Sequence, residues 1–325
     1  MTGVETSDYL KIEPLHDTRL ATVCEGARCV HVFDIRMIRA VNTALAARRP
    51  LLVRGEPGVG KSQLARAVAK ELGRAFVSRV LDARTEPGDL FWWLDAVRRL
   101  ADAQIKGEGQ SELSMDKYIK PGPMWWAFDW GDAEGAAEKA GYKAPEQQDG
   151  GNPEKGVVVL LDEIDKADSS VPNALLEALG AGTFDSPLKR VTMKRRPLVM
   201  ITTNEERELP GAFLRRCIVL HLELPEGEDE LINWLSERGA SHFPDMSREV
   251  LVEAARQLAV DRARVRKRRR APPGQAEFLD LLRAVEEISH RREPAADQPT
   301  LEAVQLGLLE EIKRFVFDKH PASRR

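Results

Sequence analysis

The sequence predicts an α/β fold, a doubly wound parallel sheet of five strands flanked by helices, followed by an all-α lid domain. Three observations carry this. Short apolar runs at 50–54, 75–81, 157–161, 197–203 and 217–222 alternate with segments of helical period. The first of these runs leads straight into a glycine-rich turn and then a helix-forming segment. After Pro225 the pattern is helical only, at 228–238, 247–264, 274–291 and 299–317.

Taken in order, residues 33–47 place Ile35, Ile38, Val41 and Leu45 on one face and read as an amphipathic helix before the first strand. Residues 62–72 are rich in helix formers, with Leu64, Val68 and Leu72 at helical spacing and Gly73 as the stop. Pro87 opens an expected helix over 87–103. The β-branched run 157–161 suits a strand buried on both faces, and 171–179 reads as a helix. Two polar stretches, 106–114 and 140–156, read as loops. The expected organisation is an N-terminal extension over 1–32, an α/β domain over 33–225 with an insertion around 100–156, and a helical lid over 226–325.

At 325 residues the chain is long enough for about two domains, each with a sizeable core. Its 49 basic and 52 acidic residues nearly cancel, so no global field steers it to nucleic acid or membrane. The start lacks a basic segment followed by an apolar one, and the clearly apolar runs are strand-length, so a cytoplasmic location without a membrane span is expected. Three cysteines, Cys24, Cys29 and Cys217, fit a reducing compartment. A metal site built on Cys24, Cys29 and His31 lacks a fourth ligand and zinc-type spacing, and partly buried thiols are the preferred reading.

Residues 55–62, Gly-Glu-Pro-Gly-Val-Gly-Lys-Ser, form a complete phosphate loop between strand and helix. The glycines let successive N–H groups converge on an anion, Lys61 adds a charge for the β- and γ-phosphates, and the following helix points its positive end at them. The ligand expected is ATP with Mg²⁺, held by Gly55, Pro57, Gly58, Val59, Gly60, Lys61, Ser62 and Gln63. The strand 157–161 ends in Asp162-Glu163, paired acids of the Walker B kind. Ser62 and Asp162 are expected on the metal, and Glu163 on the attacking water. The strand ending at Thr203 delivers Asn204, an amide for the γ-phosphate and lytic water. Arg215 and Arg216 close the segment before the last strand.

In order and spacing these elements resemble the AAA+ ATPases over about residues 33–290. Within that superfamily the chain looks like the MoxR group. The pieces are Asp162-Glu-Ile-Asp-Lys-Ala167, the segment 175–184 leading into a hairpin, and Tyr118-Ile-Lys-Pro-Gly-Pro-Met-Trp-Trp126 in place of a Gly-Pro-Leu element. The resemblance implies a P-loop ATPase with Asn204 as sensor 1 and Arg216 as arginine finger, Arg215 being the alternate. It implies a homo-oligomer, a hexameric ring, and a chaperone-like role beside a von Willebrand factor A-domain protein. One departure stands out: Ala276 occupies the place of the sensor-2 arginine, for which Arg269, Arg270 or Arg283 would have to substitute.

Two features bear on the substrate. The run 262–270 holds seven positive charges in nine residues and reads either as a solvated connection or, in a nucleic-acid motor, as a phosphate stripe. Trp92, Trp93, Trp125, Trp126 and Trp130 are five of the six tryptophans. Core packing is the preferred reading for them; because adjacent residues point in different directions, exposure of one of each adjacent pair, with some lining a pore-facing or partner-facing surface, is the alternative. An ATP-switched scaffold is a further alternative to a remodelling ATPase.

Overall fold

The computed structural model describes residues 9–11, 19–24, 27–106, 114–147, 150–267, 272–291 and 300–317. The chain divides into two compact units. One is the chain up to Arg54 together with Ser62–His221; the other is Gly55–Lys61 together with the chain from Leu222 on.

In the first unit, β1 (Arg19–Cys24) and β2 (Ala27–Val32) form an antiparallel hairpin. Helix α1 (Ile35–Ala47) follows, its N-terminus capped by Asp34, whose carboxylate accepts the Met37 N–H at 2.9 Å. The central sheet is built from β3 (Leu51–Arg54), β4 (Arg74–Val80), β7 (Asn152–Asp162), β10 (Leu198–Thr203) and β11 (Ile218–His221). Their order is β11-β3-β10-β7-β4, and every pairing is parallel. The five expected strands are therefore the five observed. Helix α2 (Lys61–Glu71) leaves the phosphate loop, and α6 (Ser170–Ala181) leads into a small hairpin of β8 (Thr183–Asp185) and β9 (Arg190–Thr192). The four-residue α7 (Gly211–Leu214) precedes β11.

Three expectations need correction. The helix expected over 87–103 is a 3-10 turn (Pro87–Leu90), a strand β5 (Trp92–Leu94) and then α3 (Ala96–Lys106). Trp92-Trp93-Leu94 is strand-forming by side-chain type, and it pairs antiparallel with β6 (Ile119–Pro121), a partner some 25 residues on that local periodicity does not register. Asp95 then restarts the helix by accepting the Arg98 N–H at 2.9 Å. The loop expected over 140–156 is shorter than that: α5 (Trp130–Lys139) runs up to it and β7 begins at Asn152, paired with Arg74 across a bulge. Residues 107–113 of the other expected loop lie outside the described residues.

The third correction concerns only the alternative, surface reading of the tryptophans; core packing is what is seen for Trp125 and Trp126. Trp125 and Trp126 lie on α4 (Pro123–Phe128), and both are buried, at 0% and 5% exposure. Trp125 meets Phe184 of β8 edge-on at 6.0 Å and donates Nε1–H to Asp132 at 3.0 Å, while Trp126 packs on Trp130 at 5.0 Å. A short helix wedged between the sheet and the β8–β9 hairpin has no solvent face, so adjacent residues pointing different ways are both covered. Trp92 and Trp93 are half-buried, with Arg79 4.2 Å over the Trp93 ring. Within this unit the tryptophans are core and sheet-edge residues.

The second unit contains α8 (Glu228–His242), α9 (Arg248–Lys267), α10 (Gln275–Arg291) and α11 (Leu301–Phe317), each where the helical period places it. Leu235, Val250, Leu258, Phe278, Leu282 and Leu309 form its core. Gly239 lets α8 approach closely, since a Cβ there would stand 2.9 Å from Leu251 and 3.2 Å from both Leu282 and Phe278. Burial, reinforced by the cationic Arg283 and Arg238, pushes the half-buried His242 imidazole down from 6.5 to about 4. It is neutral in the fold, whereas an unfolded chain takes up its proton below pH 6.5. Stability is therefore expected to fall as pH drops from 6.5 to about 4, by at most ~1.4 kcal/mol per pH unit, less where solvent reaches the ring. Urea titrations across that window check this, and His242→Gln should remove that contribution to the slope.

Candidate functional site

Parallel strands of a doubly wound sheet present their functional residues beyond their carboxyl ends. β7 and β10 run side by side with Leu161 level with Ile201, so Asp162 and Thr202 stand next to each other near the carboxyl ends of their strands. Ser62, early in α2, donates its hydroxyl to Asp162 Oδ2 at 2.8 Å, and Thr202 donates its own to Asp162 Oδ1. A serine hydroxyl beside a carboxylate is a hard oxygen donor set, which suits Mg²⁺ rather than a thiophilic metal.

Glu163 sits in the left-handed region at φ 61, ψ 48, a conformation costing a non-glycine residue about 1–3 kcal/mol. Its N–H donates to Thr202 Oγ1 at 2.9 Å, which anchors the turn. Its carboxylate is held on both oxygens: Lys166 Nζ donates to Oε2 at 2.8 Å, and Asn204 Nδ2 to Oε1 at 3.3 Å. The Glu163 hydrogen bond is the main cause of a raised Lys166 pKa, so the ammonium stays charged against that carboxylate. Asp162, Glu163 and Asn204 are thus brought together. Thr202 and Lys166 are additions. Thr202 lies two residues before Asn204, near the end of β10; Lys166 stands three residues after Glu163 in a turn.

The phosphate loop carries its own geometry. Gly55, Gly58 and Gly60 have φ of 150°, 77° and 96°. At Gly55 a Cβ would lie 2.2 Å from the Leu222 carbonyl oxygen, so only glycine fits. Lys61 is buried, and its ammonium donates to the Gly55 and Glu56 carbonyl oxygens at 2.8 and 2.9 Å, held over the loop, where it would neutralise phosphate charge. A loop with three positive-φ glycines and a buried lysine over it fits a polyphosphate.

A family model described as AAA domain (dynein-related subfamily) matches residues 50–238, more than half of the 325. The chain belongs to that AAA family. Among curated proteins none matches. Among solved structures, a proline-to-glycine mutant of Thermotoga maritima RuvB is similar at 19% identity and a TM-score of 0.45, over 86% of this chain and 68% of that one.

In this AAA domain Arg215 and Arg216 stand apart from the acidic cluster. They precede β11, whose first residue Ile218 is level with Leu51 at the start of β3, whereas Glu163 and Asn204 follow the far ends of β7 and β10. Along a six-residue strand such as β10 the two ends lie roughly 17 Å apart. Both arginines are exposed. They have company that the linear sequence concealed: Arg48-Arg49 precede Pro50 and β3, and Arg195-Arg196 precede Pro197 and β10. Because β11, β3 and β10 are neighbours in register, three arginine pairs meet at one end of the sheet, all exposed. Arg49 donates to the Arg215 carbonyl oxygen at 3.2 Å, and the Arg196 pKa is lowered by partial desolvation of its head group, although the residue as a whole is exposed, and then by the Arg48 charge. The signal was available as an Arg-Arg pair before each of three strands.

The remaining expectations divide. Cys217 is buried, and burial pushes its thiol up to about 12, so it is unreactive. The side chains of Cys24 and Cys29, and with them the metal alternative, lie outside the described residues, as do Arg269 and Arg270. Of the described part of the basic run, Arg262 is buried, Arg264 pairs with Asp261, and Arg266 pairs with Glu56. Those three arginines are engaged within the chain rather than arrayed for a phosphate backbone. Arg283 pairs with Asp280 on its own helix. Among the described residues no helix is long and apolar enough to cross a membrane.

Proposed function

We propose that the protein is an ATP-hydrolysing remodelling ATPase of the MoxR type that works as a ring, each catalytic site being completed by a neighbouring copy. The observation that carries this is the separation, within one sheet, of the Asp162–Glu163–Asn204 cluster from Arg215 and Arg216. Lys61 and the loop amides take the phosphates, with Gln63 beside them in α2. Ser62 and Asp162 hold Mg²⁺, which when bound supplies charge neutralisation at the phosphates. Glu163 orients the attacking water and accepts its proton, and Asn204 fixes the carboxylate and the water. Arg216, with Arg215 beside it, is presented to the γ-phosphate on the next copy. A heterologous contact of this kind, repeated, closes into a ring or runs on as a filament; six copies, an A-domain partner and a protein client are the arrangement that the MoxR resemblance supports.

The test is mass measurement by light scattering with and without ATP. Wild type is expected to grow from a small species into a ring-sized one as ATP is added, with specific activity rising with protein concentration. Arg49→Glu places an anion among the three arginine pairs, and it should raise the concentration needed for assembly by about tenfold or more. A species of constant mass, with turnover independent of concentration, would refute the shared site.

A further inference from the structure

The phosphate loop is fastened to the helical unit through its first variable residue. Arg262 on α9 is 3% exposed; it donates from Nη1 to the Pro273 carbonyl oxygen at 2.9 Å and from Nη2 to Glu56 Oε2 at 2.5 Å. Arg266, one turn further, donates to Glu56 Oε1 at 3.3 Å. A guanidinium taken out of water requires an anion, and Glu56 is the carboxylate that meets it.

Other contacts join the same loop to the same unit. The Ala276 N–H donates to the Gly58 carbonyl oxygen at 3.1 Å. Since α10 begins at Gln275, that N–H is one of the first-turn donors that no helix carbonyl can satisfy, and the loop satisfies it. Glu277 Oε2 accepts the Gly274 N–H at 2.9 Å, fixing the start of the helix. The fit is close: a Cβ on Gly58 would come within 3.0 Å of the Ala276 Cβ, and one on Gly274 within 3.4 Å of the Pro57 carbonyl oxygen.

We propose that Arg262 and Arg266 are positioning residues which, through Glu56, make the phosphate loop and the start of α10 one body, so that triphosphate in the loop is felt at α10 through the loop itself. This rests on the reading of residues 55–62 as the triphosphate site. It also gives a physical account of Ala276. The Ala276 Cβ stands where a Cβ on Gly58 would come within 3.0 Å of it, and at this position the backbone N–H, not a side chain, meets the loop.

Hydrogen exchange of the full chain, free and with ATP, tests this, read at the amides of 55–61 and 275–278. Glu56→Gln keeps the volume and removes the charge. Without nucleotide it should speed exchange at both segments together by about tenfold. With ATP, the wild type should gain protection at 275–278, and the variant should gain it in the loop alone. KM for ATP should rise about tenfold while kcat stays within about twofold. Glu56→Asp should restore much of the coupling, and Arg266→Gln, which leaves the buried Arg262 contact intact, should shift exchange the same way by less. If Glu56→Gln fails to fold, Arg266→Gln carries the comparison. Wild-type exchange at 275–278 in the variants, with ATP protection unchanged there, would overturn the proposal. A wild type that binds no ATP would instead overturn the reading of the loop, and the comparison without nucleotide would still decide whether Glu56 joins loop to helix.

Discussion

Glu163→Gln is expected to lower ATP turnover by about 10²–10⁴, a loss of roughly 3–5 kcal/mol of transition-state stabilisation, while leaving ATP binding within a few-fold of wild type. The carboxamide preserves the shape of the side chain and one acceptor oxygen, but it cannot take a proton from water. Its neighbours make the effect specific. Lys166 and Asn204 donate to opposite oxygens of this carboxylate, and Thr202 anchors its backbone in a left-handed turn. A non-glycine residue kept in that conformation by three partners is what the proposed role of Glu163 requires, since a turn with no such role would favour glycine there. Single-turnover kinetics beside equilibrium binding of a fluorescent ATP analogue would check both halves. A turnover within twofold of wild type would remove Glu163 from the chemistry.

Arg216→Ala is expected to cost about 10³–10⁵ in turnover, the range an arginine finger contributes in related phosphoryl transfers. Arg215→Ala should cost less, because Arg215 caps the end of α7 and its carbonyl is tied to Arg49. The distinguishing feature is that neither loss should touch ATP affinity of the isolated chain, for both arginines sit at the opposite end of the strands from Glu163 and Asn204. Steady-state turnover together with nucleotide affinity at low protein concentration separates the two effects. A variant that loses affinity as an isolated chain would place Arg216 in its own site instead.

The sheet and the helical unit were legible because each element announces itself locally. Short apolar runs of strand length mark the five strands, and four long segments of helical period mark α8 to α11. Asp162, Glu163 and Asn204 were legible for the same reason, the two acids closing one buried strand and Asn204 directly following another. What escaped was whatever depends on register between distant segments. Trp92–Leu94 is a strand only because Ile119–Pro121 lies beside it. Trp125 and Trp126 are both buried only because a sheet lies on one side of a short helix and a hairpin on the other. The three arginine pairs become one surface only when β11, β3 and β10 line up. Glu56, an unremarked variable position of the loop, acquires a role only through an arginine more than 200 residues later.

Mixing two inactive variants tests the shared site most directly. In Glu163→Gln the arginines are intact, and in Arg216→Ala the acidic cluster is intact. Where copies assemble head to tail, interfaces that join the acidic cluster of an Arg216→Ala subunit to the arginines of a Glu163→Gln subunit contain every group the reaction needs. Co-assembled variants are therefore expected to regain ATP turnover that neither shows alone, and more of it as protein concentration rises. If the mixture hydrolyses no more ATP than the two variants measured separately, while wild type is active at the same concentration, each chain works with its own residues and the shared-site mechanism is wrong.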